Sequence, residues 1–442
     1  MIMRRIELGP GHVLTDAMLA RSGGVDAEVL SAAARIVEDV RQRGDEALRE
    51  YTKQFDKVDL AELRVTADEI ETAVASVSEE FRDAIAAAAG AIEEFHERQL
   101  PQSWFTAQEG GVFLGVKVTP LRRVGIYVPG GRACYPSSVL MNAIPAVVAG
   151  VDEIAMVVPP KADGTVDPYT LAAAAKAGVS EIYKVGGAQA IAALAFGTRS
   201  IPRVDKVTGP GNAYVTAAKK LVMGEVGIDM LAGPSEVLVL ADETAEPAFV
   251  AIDLMAQAEH DPRAATYLVT TDPALPDEVE EALEILLEEA PRADVIRRSL
   301  EDNGRIIIVS DVVSALDVAN RIAPEHLEVL MAEPFELLGG IRNAGAIFLG
   351  PWTPESVGDY VAGPNHVLPT GGTARFSSPL SVEDFVKRSS VLSYSREALE
   401  CDGPNVIAIA SAEGLDAHAD AVALRLEISG ADDIACELGD ES

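Results

Sequence analysis

From about residue 113 onward, short β-branched runs alternate with alanine-rich segments of helical spacing, and this alternation limits the fold more than any other feature of the chain. Val124-Gly125-Ile126-Tyr127-Val128 and the runs 154–158, 182–185 and 204–207 read as buried strands. Between them, 138–149, 169–177, 188–196 and 213–223 read as helices. A second series repeats the pattern, with strands at 236–240, 266–270, 305–309, 327–331 and 346–349 and helices at 246–259, 276–289 and 314–322. Strands joined through helices run parallel, with helices covering the sheet faces. The expected fold class is therefore α/β, with two Rossmann-like doubly wound domains. Ligands are expected at the carboxyl ends of strands, in the crevice between the domains.

The flanks read differently. Residues 25–55 and 67–99 have apolar positions at three- and four-residue spacing and predict two long scaffolding helices, capped by Asp26 and Thr66. His96 lies among Glu93, Glu94 and Glu97 and reads as a solvated helix histidine. Beyond 370 the pattern is irregular: a Thr370-Gly371-Gly372-Thr373 turn, a short segment at 381–387 and a last helix at 415–428. That tail is too small to hold a core alone, so it is expected to pack on the body or on another subunit. The resulting division is 1–112, an N-terminal arm and helices packing on the second α/β domain; 113–232, the first α/β domain; 233–370, the second; and 371–442, a small C-terminal tail domain.

Charge excludes whole classes of partner. The chain has 70 acidic against 36 basic residues, a formal charge of −34 in 442 residues, so nucleic acid and anionic membranes would be repelled. The acid is spread along helical stretches such as 278–289, and only ten of the basic residues are lysine. We read this as a solvated acidic surface of halophilic type, suited to an ionic strength that screens self-repulsion. Neither a signal-peptide pattern nor a run of eighteen apolar residues is present, so the expectation is a soluble, cytoplasmic protein. Three cysteines are too few for a disulfide framework or a cysteine-rich zinc site. Cys134 follows a glycine-rich turn, but no His or Asn adjoins it, so a structural thiol is favoured over a nucleophile.

Histidine is scarce, and four of the six lie in the second half beside oxygen donors: Gln257-Ala258-Glu259-His260, Pro324-Glu325-His326, Asp359 through Asn365-His366, and Glu413 through His418. Gln257 and His260, three apart on a predicted helix, share a face and suit either a metal or a polar surface. Glu325-His326 at a helix-to-strand junction suits proton transfer at an alcohol and water activation, or a solvated helix end. Asp359, in a glycine- and proline-rich loop past a strand, suits a metal ligand or a turn cap. Glu413 and His418 carry the same ambiguity. The turns Tyr127-Val128-Pro129-Gly130-Gly131 and Gly209-Pro210-Gly211-Asn212 allow close approach of a dinucleotide without matching Gly-x-Gly-x-x-Gly.

Nine blocks in order resemble the histidinol dehydrogenase family: 124–131 (VGIYVPGG), 185–198 (VGGAQAIAALAFGT), 209–213 (GPGNA), 232–237 (AGPSEV), 257–260 (QAEH), 323–327 (APEHL), 355–360 (ESVGDY), 365–370 (NHVLPT) and 413–418 (EGLDAH). The resemblance covers residues 25–428. It implies two NAD+-dependent oxidations of L-histidinol to L-histidine through an enzyme-held aldehyde. It also implies one Zn2+ per subunit on Gln257, His260, Asp359 and His418, with His418 reaching across a homodimer. His326 would be the general base and Glu325 the water activator. Ser235, His366 and Glu413 would line the substrate pocket with the zinc ligands, and Tyr127, Gln189 and Asn212 would contact NAD+ on the 113–232 side. Two other readings compete: a zinc- and NAD-dependent dehydrogenase of another amino alcohol or polyol, and a non-catalytic zinc-bound structural protein. Glu413 and His418 weigh against the first. The Glu325-His326 pair weighs against the second, since a structural site needs neither a base nor a water activator.

Overall fold

A computed structural model describes residues 2–9, 14–19, 26–130 and 134–438, with the side chains of 16, 17 and 428–438 outside that description. Val25 and Gly131 of the sequence analysis, and the Cys436 side chain, lie outside the described residues. By its internal packing the chain resolves into two units. The larger comprises Met1–Leu100 and Leu121–Phe385, and the smaller Pro101–Pro120 and Val386–Ser442.

The larger unit holds two all-parallel sheets. In chain order the strands among the described residues are β1 (Arg4–Leu8), β2 (Trp104–Ala107), β3 (Val112–Pro120), β4 (Arg123–Tyr127), β5 (Glu153–Val157), β6 (Glu181–Tyr183), β7 (Lys206–Thr208), β8 (Gly227–Ile228), β9 (Glu236–Ala241), β10 (Ala265–Thr270), β11 (Arg305–Val309), β12 (His326–Leu330), β13 (Ala346–Leu349) and β14 (Val386–Tyr394). The first sheet has the order β6-β5-β4-β7-β8 and the second β1-β11-β10-β9-β12-β13. Numbered within its own series, each reads 3-2-1-4-5, so the direction of winding reverses between β4 and β7 and again between β9 and β12. Every residue of β4, β9 and β12 is buried, as expected for central strands covered on both faces.

The arm and the helices that follow it part company. β1 adds to the edge of the second sheet in parallel register with β11, from Arg4 opposite Arg305 to Leu8 opposite Val309. Glu280 fixes its start by accepting the Ile2 N–H at 2.8 Å and pairing with Arg5, which also reaches Asp277 at 2.7 Å. The helices belong to the other sheet, contrary to the expected packing on the second domain. Ala33, Ile36, Val37, Val40, Ala47 and Leu48 share one core with Ile191, Leu194, Val215 and Ala218 from helices of the first sheet. Both long predicted helices are also broken. Gly44, at φ 56°, ends Ala27–Arg43 before Asp45–Phe55, and Ser78 caps a new helix, Glu79–Glu97, after Ala67–Ser76. Asp26 caps as expected, and Thr66 forms a reciprocal capping box with Glu69.

The smaller unit was the least legible. Its sheet is antiparallel, in the order β14-β3-β2, with Val386 opposite Pro120 and Tyr394 opposite Val112. Two helices, Arg396–Ala412 and Asp416–Leu438, follow it. Gly403 lets them approach, because a Cβ there would sit 3.0 Å from both Leu426 and Val422. No helix among the described residues is long and apolar enough to cross a membrane.

Candidate active site

The acid–histidine chemistry begins where helix Val312–Ile322 turns into β12. Ala323 closes that helix in the left-handed region, φ 47°, a conformation that costs a residue with a side chain roughly 1–2 kcal/mol. Pro324 follows, and Glu325 and His326 then enter the sheet with both side chains buried. Gly345 N–H donates to the Pro324 carbonyl at 2.9 Å and Ala346 N–H to the Glu325 carbonyl at 2.9 Å. A Cβ on Gly345 would lie 2.5 Å from the Glu325 carbonyl oxygen, so this approach requires glycine. From β9, the Glu236 N–H donates to Glu325 Oε2 at 3.0 Å.

His326 is oriented from the same strand. Its Nδ1 lies 3.2 Å from the Glu236 carbonyl and 3.1 Å from Gln257 Oε1. A carbonyl only accepts, so Nδ1 carries a proton and donates it. Nε2 is buried with no hydrogen-bond partner.

Two helices bring further donors to this edge. Gln257 lies in the last turn of Pro247–Ala258, the helix returning from β9. It is fully buried with Nε2 unpartnered, and His260 follows at the exposed helix end. The short helix Glu355–Tyr360 places Glu355 and Asp359 on one face through i,i+4 spacing. His326 Nδ1 is 3.7 Å from Glu355 Oε1, and His326 Nε2 is 3.8 Å from Asp359 Oδ1. His260, Glu355 and Asp359 can each present a ligand atom within 4.8 Å of the others, a group able to hold a metal ion. The Asp359 carbonyl accepts from His366 Nδ1 at 3.0 Å, leaving His366 Nε2 to accept from Ser138 Oγ at 3.3 Å. Ser138 lies in Pro136–Val148, the helix after β4, so that helix meets the cluster.

Buried carboxylates dominate the electrostatics. Burial pushes Glu325 up to about 8 and Glu355 up to about 7. Glu328, within β12, is raised well above its ordinary value by burial and by Asp253 beside it. Burial lowers His326, but Glu355, Glu325 and Asp359 together outweigh it and push the imidazole up to about 10. Asp359 goes down: burial raises it, while the adjacent His326 imidazole and the other nearby imidazoles lower it by more. Desolvation holds His260 and His366 below their ordinary values.

This cluster lies at the amino-terminal edge of the second sheet, not at the carboxyl ends where ligands were expected. The donors sit on helices that have already run back along the sheet, and β12 begins at His326 itself. The three residues expected to contact a dinucleotide do lie at the carboxyl ends of strands, in the first sheet. Tyr127 ends β4, Gln189 lies in the first turn of Gly187–Phe196 after β6, and Asn212 caps Ala213–Val222 after β7. Tyr127 accepts the Gly187 N–H at 3.1 Å, and burial pushes its phenol up to about 12. Gln189 Oε1 is buried without a partner. Ser235 sits just before β9, its carbonyl accepting from Ala265 at 3.0 Å. Glu413 and His418 lie in the smaller unit, both exposed.

His96 is not solvated. It is fully buried, with Nδ1 donating to the Ile92 carbonyl at 2.7 Å and Nε2 3.4 Å from Asn365 Nδ2. The surrounding acids pointed to solvent, but position 96 sits on the inner face of its helix. Cys134 is exposed. Sequence reasoning missed Glu355, although its spacing four before Asp359 was available. It also missed Glu328, a carboxylate inside an otherwise apolar central strand, whose Oε1 accepts the Glu355 N–H at 2.7 Å.

With this geometry in view, comparison with known proteins is direct. The family profile for histidinol dehydrogenase matches residues 19–426. The histidinol dehydrogenase of Heliobacterium mobile is 55% identical over 404 residues, covering 91% of this chain and 95% of that one. That of Syntrophotalea carbinolica is 54% identical over 415 residues, covering 93% and 96%. The crystal structure of histidinol dehydrogenase from Elizabethkingia anophelis superposes with a TM-score of 0.92 at 38% identity, covering 97% of this chain and 99% of that one.

Proposed function

The chain belongs to the histidinol dehydrogenase family, oxidoreductases of histidine biosynthesis, and on that premise we propose that it oxidises L-histidinol to L-histidine in two successive NAD+-dependent steps through L-histidinaldehyde. The observation that carries this reading is the buried Glu325-His326 pair, with the His326 Nδ1 proton committed to a backbone carbonyl and its Nε2 without a hydrogen-bond partner among the described residues. In the first oxidation Nε2 takes the hydroxyl proton while two electrons leave the carbinol carbon with its hydrogen. In the second, Glu325 takes a proton from water as the water oxygen adds to the aldehyde carbon. His326 then removes a proton from the resulting hydrate. NAD+ supplies the hydride acceptor for both steps. Its contacts in this reading are Tyr127, Gln189 and Asn212, where the unpartnered Gln189 Oε1 and the glycine turns after β4 and β7 suit a dinucleotide.

The donor set also fits a divalent cation. An imidazole held up at about 10 is protonated near neutrality and cannot act as a base, and the carboxylates responsible are ligand-type groups. Positive charge among them offsets their pull on His326. In our reading Gln257, His260 and Asp359, with His418 of the partner subunit, hold one zinc ion per subunit, and Glu355 stands beside them. Bound zinc would orient the substrate's imidazole and amine and polarise its oxygen. Ser235, His366 and Glu413 complete the substrate pocket. A homodimer accords with exposed Trp104, Leu392, Ile409 and Leu424 on the smaller unit, and cytoplasmic location with the biosynthetic role.

Chelation tests the reading. Metal-stripped protein should lose both bound zinc and histidinol-dependent NADH formation, and regain both when one equivalent of zinc per subunit is restored. Full turnover in demonstrably metal-free protein would remove the metal from the proposal.

A further inference from the structure

Lys219 and Asp229 form an ion pair buried in the first half of the larger unit, with side chains only 2% and 1% exposed. Lys219 lies on helix Ala213–Val222, and Asp229 follows β8 at the start of the segment leading to the second sheet. Taking both charges out of water carries a desolvation penalty that their attraction must first offset. A pair in such a place calls for a reason beyond stability.

Its remaining hydrogen bonds point to one. Lys219 Nζ donates to the Gly209 carbonyl at 3.0 Å, and Asp229 Oδ2 accepts the Gly209 N–H at 2.8 Å. Both polar groups of Gly209 are thus gripped by one ion pair. Gly209 opens the Gly209-Pro210-Gly211-Asn212 turn at φ 109°, and a Cβ there would meet the Tyr127 carbonyl at 2.1 Å. The backbone is therefore pressed against the end of β4, at the point where the winding of the sheet reverses. Asp229 Oδ1 also accepts the Met230 N–H at 2.6 Å. The same segment is tied on both sides: Thr216 Oγ donates to the Ala232 carbonyl at 2.9 Å, and the Gly233 N–H donates to Thr370 Oγ at 2.6 Å.

We propose that Lys219 and Asp229 are positioning residues for the dinucleotide: their ion pair fixes the Gly209–Asn212 turn, while the 232–235 segment keeps its own ties through Thr216 and Thr370. This rests on the cofactor placement proposed above. Neither residue touches the cofactor; both act through the Gly209 backbone. Losing the pair would let the turn sample other conformations, so NAD+ would bind a less ordered site while the acid–histidine cluster kept its own supports.

The test separates this role from stability. Asp229→Asn, and the double variant Lys219→Met with Asp229→Leu, are compared with Lys53→Met, which breaks the exposed Lys53–Asp59 pair. A buried pair replaced on both sides by apolar groups is often neutral for stability. The double variant should therefore stay folded yet show faster amide hydrogen exchange at 209–212 without cofactor, and a KM for NAD+ raised about tenfold or more. The KM for histidinol and the zinc content should stay at wild-type values, as should everything in Lys53→Met. Should the double variant not fold, Lys219→Arg and Asp229→Glu keep the charges but alter the reach, and the same selective rise in the KM for NAD+ is expected. Wild-type exchange at 209–212 together with a wild-type KM for NAD+ in folded variants would overturn the proposal. Loosened exchange in the variants, with wild-type protein that binds no NAD+, would instead overturn the cofactor placement.

Discussion

Replacing Gly345 by alanine should damage the second oxidation more than the first, through packing alone. The added Cβ would meet the Glu325 carbonyl oxygen at 2.5 Å and Pro369 Cδ at 3.3 Å. An ordinary carbon–oxygen contact needs roughly 3.2 Å or more, so the Glu325 backbone must retreat by several tenths of an ångström. Two hydrogen bonds resist that retreat: Ala346 N–H to the Glu325 carbonyl and Gly345 N–H to the Pro324 carbonyl, each 2.9 Å. Overpacking of this kind costs about 1–3 kcal/mol, which in a chain of this size lowers Tm by roughly 1–3 °C. Displacing a reacting group by a fraction of an ångström costs about tenfold in rate. Glu325 is read as the water activator, so NADH formation from histidinaldehyde should fall about tenfold, and the alcohol step by less. Gly339→Ala is the control, because a Cβ there meets nothing within 4 Å. A Gly345→Ala enzyme with wild-type Tm and wild-type turnover on both substrates would refute the reasoning.

Three further expectations come from the titrating groups. His326→Ala should slow both oxidations by about 10²-fold or more, whereas Glu325→Gln should spare the alcohol step, as measured by separate turnover on alcohol and aldehyde. Burial holds Glu325 up at about 8, so wild-type aldehyde oxidation should gain rate as pH rises through that value, and Glu325→Gln should lose this limb of the profile. Asp56, at the end of helix Asp45–Phe55, has a buried, unpartnered Oδ2 and a carboxyl pushed up to about 6 by burial. Its folded pKa exceeds the unfolded one, so its contribution is fully present below about pH 4 and is lost as pH rises through about 6. Part of the side chain is solvated, which reduces the cost of ionised Asp56 to about 1 kcal/mol. Asp56→Asn should raise the denaturation midpoint at pH 7.5 and lose that advantage near pH 4. Equal midpoints for the two proteins at pH 7.5 would contradict it.

Legibility from the sequence followed the periodicity. The nine parallel strands β4 to β13, apart from the two-residue β8, were each located within about three residues, because their runs are apolar, β-branched and bounded by helices. β1 was missed because its alternation is carried by Ile6 and Leu8 between charged residues, which reads as a polar lead-in until β11 is there to receive it. β2, β3 and β14 were missed for a related reason. Their faces are largely exposed, so no buried stripe marks them, and β14 joins β3 across more than 250 residues of sequence.

The site was legible through motif blocks more than through chemistry. Taken singly, Gln257, His260 and Asp359 were as well explained by a polar helix face and a turn cap. What composition and spacing could not supply was the supporting shell. The Glu236 backbone that sets the His326 tautomer, the Gly345 approach and the Lys219–Asp229 grip on Gly209 all depend on contacts across strands. Such partners are far apart in sequence and leave no periodic signature.

The most direct test of the central claim is the stoichiometry of a completed reaction: NADH formed per L-histidinol consumed, with the organic product identified. One site carrying both a base and a water activator predicts a ratio of two and L-histidine as the product. A ratio of one, with the aldehyde or another singly oxidised product accumulating, would contradict the account.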